Sequence, residues 1–356
     1  MGRINHDLLL VGSVPLDRAE QVLEICGRKI GKYVDCLPDG EIGERTRWVS
    51  YQSYRVFHGH PEIETLHRPE PKNGVEQWIP TGYNNHWNFK VRAGVKEVRF
   101  GDPGWRLGYA RDAINSYFVF RTLRDRGDIP AGVRFQVCLP GTVSVVFTPF
   151  REAGDFDRVA PGYEEAMRAE VANIVKQIPR SDLVIQWDCA LELLDVEGAI
   201  AWTPKENKFE RSSAQFRNLS RAVPDDVPMG YHFCYGTLGG WPMKRPESLE
   251  WCVKFTRKAI DTSGRPVDFV HMPVPRHPPD HYFDSLKSIA GDDVKVYLGL
   301  IHHPDTVAEL KTRIDAARKF IPNPGVASVC GFGRLDPDRV PSMLDDHLRA
   351  VEALHA

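Results

Sequence analysis

The sequence predicts an α/β protein folded as a (β/α)8 (TIM) barrel, with a long aromatic-rich insertion after the second strand. Eight short apolar runs alternate with helix-periodic stretches along the 356 residues. Strict alternation implies parallel strands joined by right-handed crossovers, and eight such units close a barrel. Neither a dinucleotide-binding glycine fingerprint nor a P-loop follows the first strand, which ends in Gly12-Ser13-Val14-Pro15. We therefore expect one barrel domain over residues 1–356.

The first elements are a strand, a helix, a second strand and a long insertion. Residues 7–12 form a continuous apolar run, as expected for a buried parallel strand. Residues 16–30 place their apolar side chains on one helical face, and residues 33–37 form the second strand. Residues 45–105 are irregular and rich in Trp and Tyr, which predicts an insertion or lid over the C-terminal face of the barrel. A short strand is expected inside it at residues 95–100.

The remaining elements alternate regularly, with short apolar runs for strands and longer periodic stretches for helices. The later strands are predicted over residues 133–139, 182–188, 228–234, 267–272, 294–300 and 326–330. The later helices are predicted over residues 106–126, 163–178, 212–222, 247–260, 280–290, 306–320 and 340–354.

The composition is that of an ordinary soluble protein, with 42% hydrophobic and 26% charged residues. A formal net charge of −2 gives no reason to expect nucleic acid or an anionic membrane as a partner. Residues 1–7 lack the features of a signal peptide, and residues 8–11 are too short an apolar run to span a membrane. The 7 widely spread cysteines are odd in number, so we expect reduced thiols and a cytoplasmic location.

Polar or thiol side chains end nearly every predicted strand, and active sites of (β/α)8 enzymes lie at the C-terminal ends of the strands. These side chains are Ser13, Asp39, Glu41, Cys138, Thr142, Asp188, Cys189, His232, Cys234, His271, His302, His303 and Cys330. Their placement favours an enzyme over a structural or binding protein. His232 and Cys234 are two apart on a strand and face the same way, an arrangement that suits zinc. Simple packing is the alternative, because free cysteine is often buried.

The strand-end motifs also resemble those of a known superfamily. In chain order they are Gly12-Ser-Val-Pro15, Asp39-Gly-Glu41, Pro140-Gly-Thr142, Gln186-Trp-Asp188, His232-Phe-Cys234 and Cys330-Gly331. They resemble the catalytic C-terminal barrel of cobalamin-independent methionine synthase and the related single-barrel, zinc-dependent thiol alkyltransferases. The resemblance implies that His232, Cys234 and Cys330 ligate zinc. It further implies that a thiol acceptor takes the open position and attacks an alkyl donor such as a folate or a methoxyarene.

The same resemblance implies that Ser13 and Asp188 hold the acceptor. Two positions depart from the family pattern. The family usually has Asp-Glu-Pro-Ala after the fourth strand, where this chain reads Asp188-Cys189-Ala190. The acidic residue that often completes the metal site after the sixth strand is replaced by His271, which could supply a nitrogen instead. Both departures make homocysteine a poor expectation for the acceptor.

From these positions we assign Asp188, Glu41 and His271 as candidate catalytic residues. The candidate substrate-binding residues are Ser13, Asp39, Trp48, Tyr51, Trp87, Cys189 and Tyr235. The rings of the insertion suit a flat or apolar substrate but serve equally well as the core of the insertion. Arg45, Arg47 and Lys90 could meet a carboxylate on that substrate.

Methyl or alkyl transfer to a thiol has two rivals. One is a zinc-dependent lyase or hydrolase acting on an aromatic or carboxylated small molecule. The other is a metal-free enzyme resembling uroporphyrinogen decarboxylase, or a binding protein without chemistry. The sequence sets no oligomeric state and is compatible with a homo-oligomer.

Overall fold

Eight parallel strands form the main sheet of the protein, as the alternation predicts. The computed structural model describes residues 3–80, 85–101, 104–237 and 240–356. In chain order the strands are β1 (Leu8–Leu9), β2 (Cys36–Pro38), β3 (Ile63–His67), β4 (Asn88–Val91), β5 (Arg134–Pro140), β6 (Leu183–Cys189), β7 (Met229–Phe233), β8 (Phe269–Pro273), β9 (Lys295–Ile301) and β10 (Gly325–Ser328). The sheet order is β1-β10-β9-β8-β7-β6-β5-β2, and a parallel bridge between Leu8 and Val34 connects its two ends. This nearly closed barrel confirms the predicted fold class.

Helices on the outside of the barrel cover the sheet. In chain order they are α1 (Ala19–Ile30), α2 (Trp48–Arg55), α3 (Tyr109–Asp125), α4 (Thr142–Val146), α5 (Asp155–Gln177), α6 (Leu191–Val196), α7 (Lys208–Ser220), α8 (Glu250–Thr262), α9 (Val307–Arg318) and α10 (Val340–His355). The helix predicted over residues 280–290 is wrong, because that segment holds a 3-10 turn at Asp284–Ser288. The Tyr282 carbonyl there accepts from the Leu249 N–H, and the Tyr282 hydroxyl donates to Pro273 O, so this segment is tied to its neighbours. Among the described helices, none is long and apolar enough to cross a membrane.

The insertion after β2 packs around its own aromatic core. It contains α2 and an antiparallel pair, β3 and β4, in which Ile63 lies opposite Val91. The rings of Phe57 and Phe89 lie 6.0 Å apart, and the Phe89 N–H donates to Pro149 O, which joins the insertion to the loop after α4. The strand predicted over residues 95–100 is wrong, since that stretch instead runs along α5.

That contact with α5 depends on a glycine. The Val98 N–H donates to Arg158 O over 2.8 Å. A Cβ on Gly162 would lie 2.0 Å from Val98 O, so only glycine allows the two segments to approach this closely. The segment is therefore fixed to a helix rather than paired with a strand.

Inside the barrel, polar side chains occupy neighbouring register positions at the C-terminal ends of the strands. Asp188 lies opposite His232, and His232 lies opposite His271, on three adjacent strands. Gln186 Nε2 donates to Asp188 Oδ1 over 2.7 Å and to Val11 O over 2.6 Å. Because these amides and carbonyls satisfy one another, the barrel interior presents polar groups at fixed positions.

Candidate metal centre and cavity

His232, Cys234 and Cys330 converge at the C-terminal end of the barrel. His232 lies on β7, and Cys234 follows that strand, with its N–H donating to Cys189 O over 3.0 Å. Cys330 follows β10, and Ser328 Oγ donates to its carbonyl over 2.8 Å. One ligand atom from each of the three side chains lies within 4.8 Å of the others. The fold thus brings together one imidazole and two thiols from strands that are far apart in sequence.

The donor set of this cluster fits zinc. The two sulfur atoms lie 3.0 Å apart, both cysteines are free, and Cys330 Sγ lies 3.7 Å from His232 Nε2. The hydrogen bond from Cys234 and burial raise the pKa of the Cys330 thiol well above its ordinary range. Two thiolates at this separation repel unless a cation lies between them, and soft sulfur with imidazole nitrogen is the ligand combination of zinc.

The histidine pair defines which nitrogen of His232 is available to a metal. His271 Nε2 lies 3.0 Å from Ser328 O, and because a carbonyl only accepts, that nitrogen carries the proton. His271 Nδ1 lies 2.7 Å from His232 Nδ1, so in a neutral ring it accepts and His232 Nδ1 donates. The lone pair of His232 is thereby left on Nε2, the atom that faces Cys330.

Burial keeps both rings neutral. It lowers the pKa of His271 to about 4, and burial together with the neighbouring His271 lowers the pKa of His232 well below its ordinary value. Neutral imidazole is the form that binds metals. Since both nitrogens of His271 have partners in the protein, its position suits orientation of His232 better than direct ligation.

A second cluster, of Glu41, Cys138 and Asp188, lies at the end of the barrel with ligand atoms within 4.8 Å of one another. Burial raises the pKa of Glu41 to about 8. Burial and the charge of Glu41 raise the pKa of Asp188 well above its ordinary range. Glu41 adopts a left-handed backbone with φ of 53°, and its Oε2 is buried without a hydrogen-bond partner. Such a pair can hold a proton at neutral pH and donate it.

A cavity of about 410 Å³ opens onto both clusters, a volume within the range of small-molecule sites. Of the residues proposed from the sequence, those that line it are Ser13, Glu41, Arg47, Asp188, His232, Cys234 and Cys330. Glycines permit the close packing of this wall. A Cβ on Gly12 would lie 2.7 Å from Glu41 Oε1, and one on Gly331 would lie 2.2 Å from Ser13 Oγ. The loops after β1 and β10 therefore pack closely against each other beside His232, Cys234 and Cys330.

Asp39 and two of the three basic residues proposed for a substrate carboxylate, Arg45 and Lys90, form ion pairs within the protein. Burial by itself would raise the pKa of Asp39, but the adjacent Arg45 guanidinium lowers this pKa below its ordinary value. Arg45 Nη2 lies 2.6 Å from Asp39 Oδ2. Lys90 Nζ lies 3.3 Å from Glu64 Oε2. Arg47 alone among the three basic residues lines the cavity.

The aromatic residues proposed for the substrate lie in the core of the insertion. The Tyr51 hydroxyl donates to Asp112 Oδ2 over 2.8 Å, and Trp87 Nε1 donates to Trp78 O over 2.8 Å. Both rings are almost fully buried, and neither is among the described residues that line the cavity. The backbone of Trp48 begins α2, and its side chain lies outside the described part of the structure.

Cys189 and Tyr235 are neighbours in sequence of Asp188 and Cys234, but neither is among the described residues that line the cavity. Both side chains are almost fully buried, and the Tyr235 hydroxyl donates to Glu197 Oε1 over 2.6 Å. Sequence reasoning missed several residues that do line it, among them Arg151, Trp202 and Arg334. Arg334 follows Cys330 in a glycine-containing loop, a weak signal, and the other two lie in connections that carry no periodic pattern.

Comparisons with known proteins support the fold. No family model matches the chain, and no curated protein matches it. A B12-independent methionine synthase from Shewanella sp. W3-18-1, solved with selenomethionine, is similar in structure at a TM-score of 0.58 and 14% identity, over 95% of this chain and 86% of that one. A provisional vitamin-B12-independent methionine synthase from Listeria monocytogenes is similar at a TM-score of 0.55 and 14% identity, over the same shares. At this identity the likeness establishes the shared barrel fold.

Proposed function

We propose that this protein is an enzyme that transfers a methyl or alkyl group to a thiol, with zinc held by His232, Cys234 and Cys330. The observation that carries the proposal is the cluster itself: one imidazole and two free thiols within 4.8 Å of one another, lining a cavity of about 410 Å³. The structural likeness to proteins named as B12-independent methionine synthases supports the same reaction class.

The proposed chemistry divides the work among the residues of the cavity. Zinc held by the three ligands would lower the pKa of an acceptor thiol and so supply a thiolate nucleophile at neutral pH. His271 fixes the tautomer of His232, with its Nδ1 2.7 Å from His232 Nδ1. Asp188 and Glu41 hold a proton beside the acceptor, and the loop at Ser13 shapes the wall around it. Burial of these groups excludes water, which would otherwise compete with the thiol.

The experiment that tests this proposal begins with metal content. We expect about one zinc per chain in the purified protein and its loss in Cys234→Ser. Cys252→Ser is the matched control, because Cys252 is equally buried but lies on α8, in the core. Zinc content that is unchanged in Cys234→Ser would refute the metal site.

The second stage follows the reaction. The zinc-loaded protein is incubated with small thiols and methylated or alkylated donors, and the thioether product is measured by mass spectrometry. Thioether that forms only in the presence of both the thiol and the metal supports the transfer. Turnover of a donor without any dependence on thiol would instead support the second candidate below.

That second candidate is a zinc-dependent lyase or hydrolase, and one observation favours it. The cavity contains a carboxyl, Glu41, whose pKa burial raises to about 8 and whose Oε2 has no partner in the protein. A buried acid of this kind can protonate a leaving group at neutral pH. In that reaction the substrate would take the place of the thiol at the metal.

A further inference from the structure

Three arginine side chains line the cavity, and in the described part of the chain none of them is within ion-pair distance of a carboxylate, although Arg334 is close enough to Glu41 to lower the pKa of that carboxyl. They are Arg47 at the start of the insertion, Arg151 after α4, and Arg334 after β10. Elsewhere, buried arginines do have such partners: Arg45 pairs with Asp39 at 2.6 Å, and Arg313 pairs with a carboxylate at 2.7 Å. Arg47 and Arg151, which are half-buried, differ from those buried arginines, whereas Arg334 is exposed at the mouth of the cavity.

The missing partner is costly for Arg47 and Arg151, because parts of these two side chains are buried. Arg47 Nη1 and Arg151 Nε are shielded from solvent and have no hydrogen-bond partner in the protein. Burial lowers the pKa of Arg47, and the positive charge of Arg334 lowers it further. A buried donor of a charged group without an acceptor destabilises the fold, and two like charges in one wall add repulsion. An anionic ligand would remove both penalties.

Trp202 provides a flat surface in the same cavity. Its ring is 41% exposed, although large hydrophobic side chains in this protein are mostly buried. Trp202 Nε1 donates to Phe147 O over 2.8 Å, and the Arg151 guanidinium lies 4.3 Å from the ring centroid. The hydrogen bond and the cation–π contact fix the ring, so it can pack against an aromatic or planar ligand at little entropic cost.

We propose that Arg47, Arg151 and Arg334 form an anion subsite, which binds the carboxylate or a comparable oxyanion of an aryl acid that serves as the alkyl donor. This inference rests on the proposed function and names its substrate class. The charges of the cavity support it, since the acidic groups Glu41 and Asp188 lie beside the metal cluster and the arginines supply the cationic part of the lining. The anion orients the donor by charge-assisted hydrogen bonds.

The test uses two isosteric probes and no turnover. Benzoate and the neutral benzamide are titrated into the full-length protein by isothermal calorimetry, in the zinc-loaded and the metal-free form. We expect benzoate to bind and benzamide to bind at least roughly tenfold more weakly, because a hydrogen bond to a charged group contributes that much or more. Phenylphosphonate in a third titration distinguishes a carboxylate from a phosphoryl group, and tighter binding with the same dependence on arginine supports the subsite with a phosphoryl donor.

Variants assign the effect to the arginines. Arg47→Gln and Arg334→Gln should each weaken benzoate roughly 10- to 100-fold. Arg47→Lys keeps the charge and should retain part of the binding, and it covers the case in which Arg47→Gln fails to fold. Arg121→Gln on α3 is the control, since this exposed side chain pairs with Asp125, does not line the cavity, and should leave binding unchanged when replaced.

Two results would overturn the subsite: equal binding of benzoate and benzamide, or unchanged binding in both glutamine variants. Zinc content is measured on the same samples. Loss of the anion effect with zinc retained contradicts this inference alone, and an anion effect in protein that never binds zinc contradicts the proposed function alone.

Discussion

His271 is the residue whose replacement tests the metal centre most sharply. His271→Phe keeps an aromatic ring next to His232, whose centroid lies 4.7 Å from that of His271, but removes the acceptor for His232 Nδ1–H. The freed His232 ring can then rotate or exchange its tautomer, which withdraws the lone pair of Nε2 from the sulfur pair. We expect the protein to fold and to bind zinc more weakly.

The size of the effect follows from two estimates. Removing the partner that orients a metal-binding histidine typically costs 10- to 100-fold in affinity, or about 1.4 to 2.8 kcal/mol. Leaving a buried N–H without an acceptor costs a similar amount, about 1 to 3 kcal/mol. His271→Gln should recover part of the loss, because its amide oxygen can accept from His232 Nδ1–H.

Two measurements check this expectation. The zinc dissociation constant is obtained by competition with a chromophoric chelator, and the tautomer of His232 in the metal-free protein is read from long-range ¹⁵N–¹H NMR spectra. His60→Phe is the matched control. Its imidazole is also buried and also bonds to a carbonyl, Arg99 O at 2.9 Å, but it lies in the insertion. Zinc affinity of His271→Phe within about threefold of the unmodified protein, or a proton on His232 Nε2 in the latter, would refute the orienting role.

Two further expectations concern Glu41 and Gly331. Burial raises the folded-state pKa of Glu41 from 4.5 to about 8. Between these two pH values the unfolded chain has lost a proton that the folded state retains. The free energy of unfolding of the metal-free protein should therefore fall as pH rises from 4.5 to about 8. Glu41→Gln should flatten this loss, which is on the order of 5 kcal/mol in full, in denaturant titrations at several pH values; an unchanged slope would contradict it. Gly331→Ala places a Cβ 2.9 Å from the Ser13 backbone N and should cost about 1 to 3 kcal/mol of unfolding free energy, whereas Gly291→Ala, with open space around it, should cost little. Equal melting temperatures of these two variants would show that the loop containing Gly331 can accommodate a Cβ without loss of stability.

The barrel and the convergence of His232, Cys234 and Cys330 could be predicted, because the topology brings the ends of their strands together. Once the strands alternate with helices, the C-terminal ends of all strands meet at one face, whatever the distance in sequence. His232 and Cys330 are 98 residues apart and lie 3.7 Å from one another for this reason. The same rule applies to Asp188, which precedes the loop at the end of β6.

The residues of the insertion could not be sorted in this way. Trp and Tyr give the same pattern in a lid over a substrate and in a small aromatic core, and the difference depends on where their polar atoms find partners. Trp87 finds the carbonyl of Trp78, and Tyr51 finds Asp112 on α3, a contact between distant segments. Arg45 and Arg47 are two residues apart in sequence, yet Arg45 pairs with Asp39 whereas Arg47 lines the cavity.

The role of His271 depends on a contact across a strand, which sequence spacing cannot reveal. β8 and β10 are not neighbours, since β9 lies between them, yet His271 Nε2 reaches Ser328 O on β10. The path passes Gly299 on β9, where a Cβ would lie 3.1 Å from His271 Nε2 and 2.8 Å from Val329 Cα. Without a side chain at this position, the imidazole can extend across β9 to Ser328 O. Its hydrogen bond to that carbonyl fixes the proton on His271 Nε2, and His271 Nδ1 then accepts from His232 Nδ1.

Gly299→Ala should therefore weaken zinc binding through His271, although its Cβ would also lie 2.8 Å from Val329 Cα. Its methyl group crowds the Nε2 side of the ring, which lengthens the bond to Ser328 O and frees the proton to move. Because Gly299→Ala and His271→Phe act on the same hydrogen-bond chain, their effects on zinc affinity should not add, and the double variant should bind zinc about as weakly as His271→Phe. Additive losses in chelator competition would mean that Gly299 acts through the backbone at Val329, beside Cys330, and that the strand rather than the imidazole transmits the change.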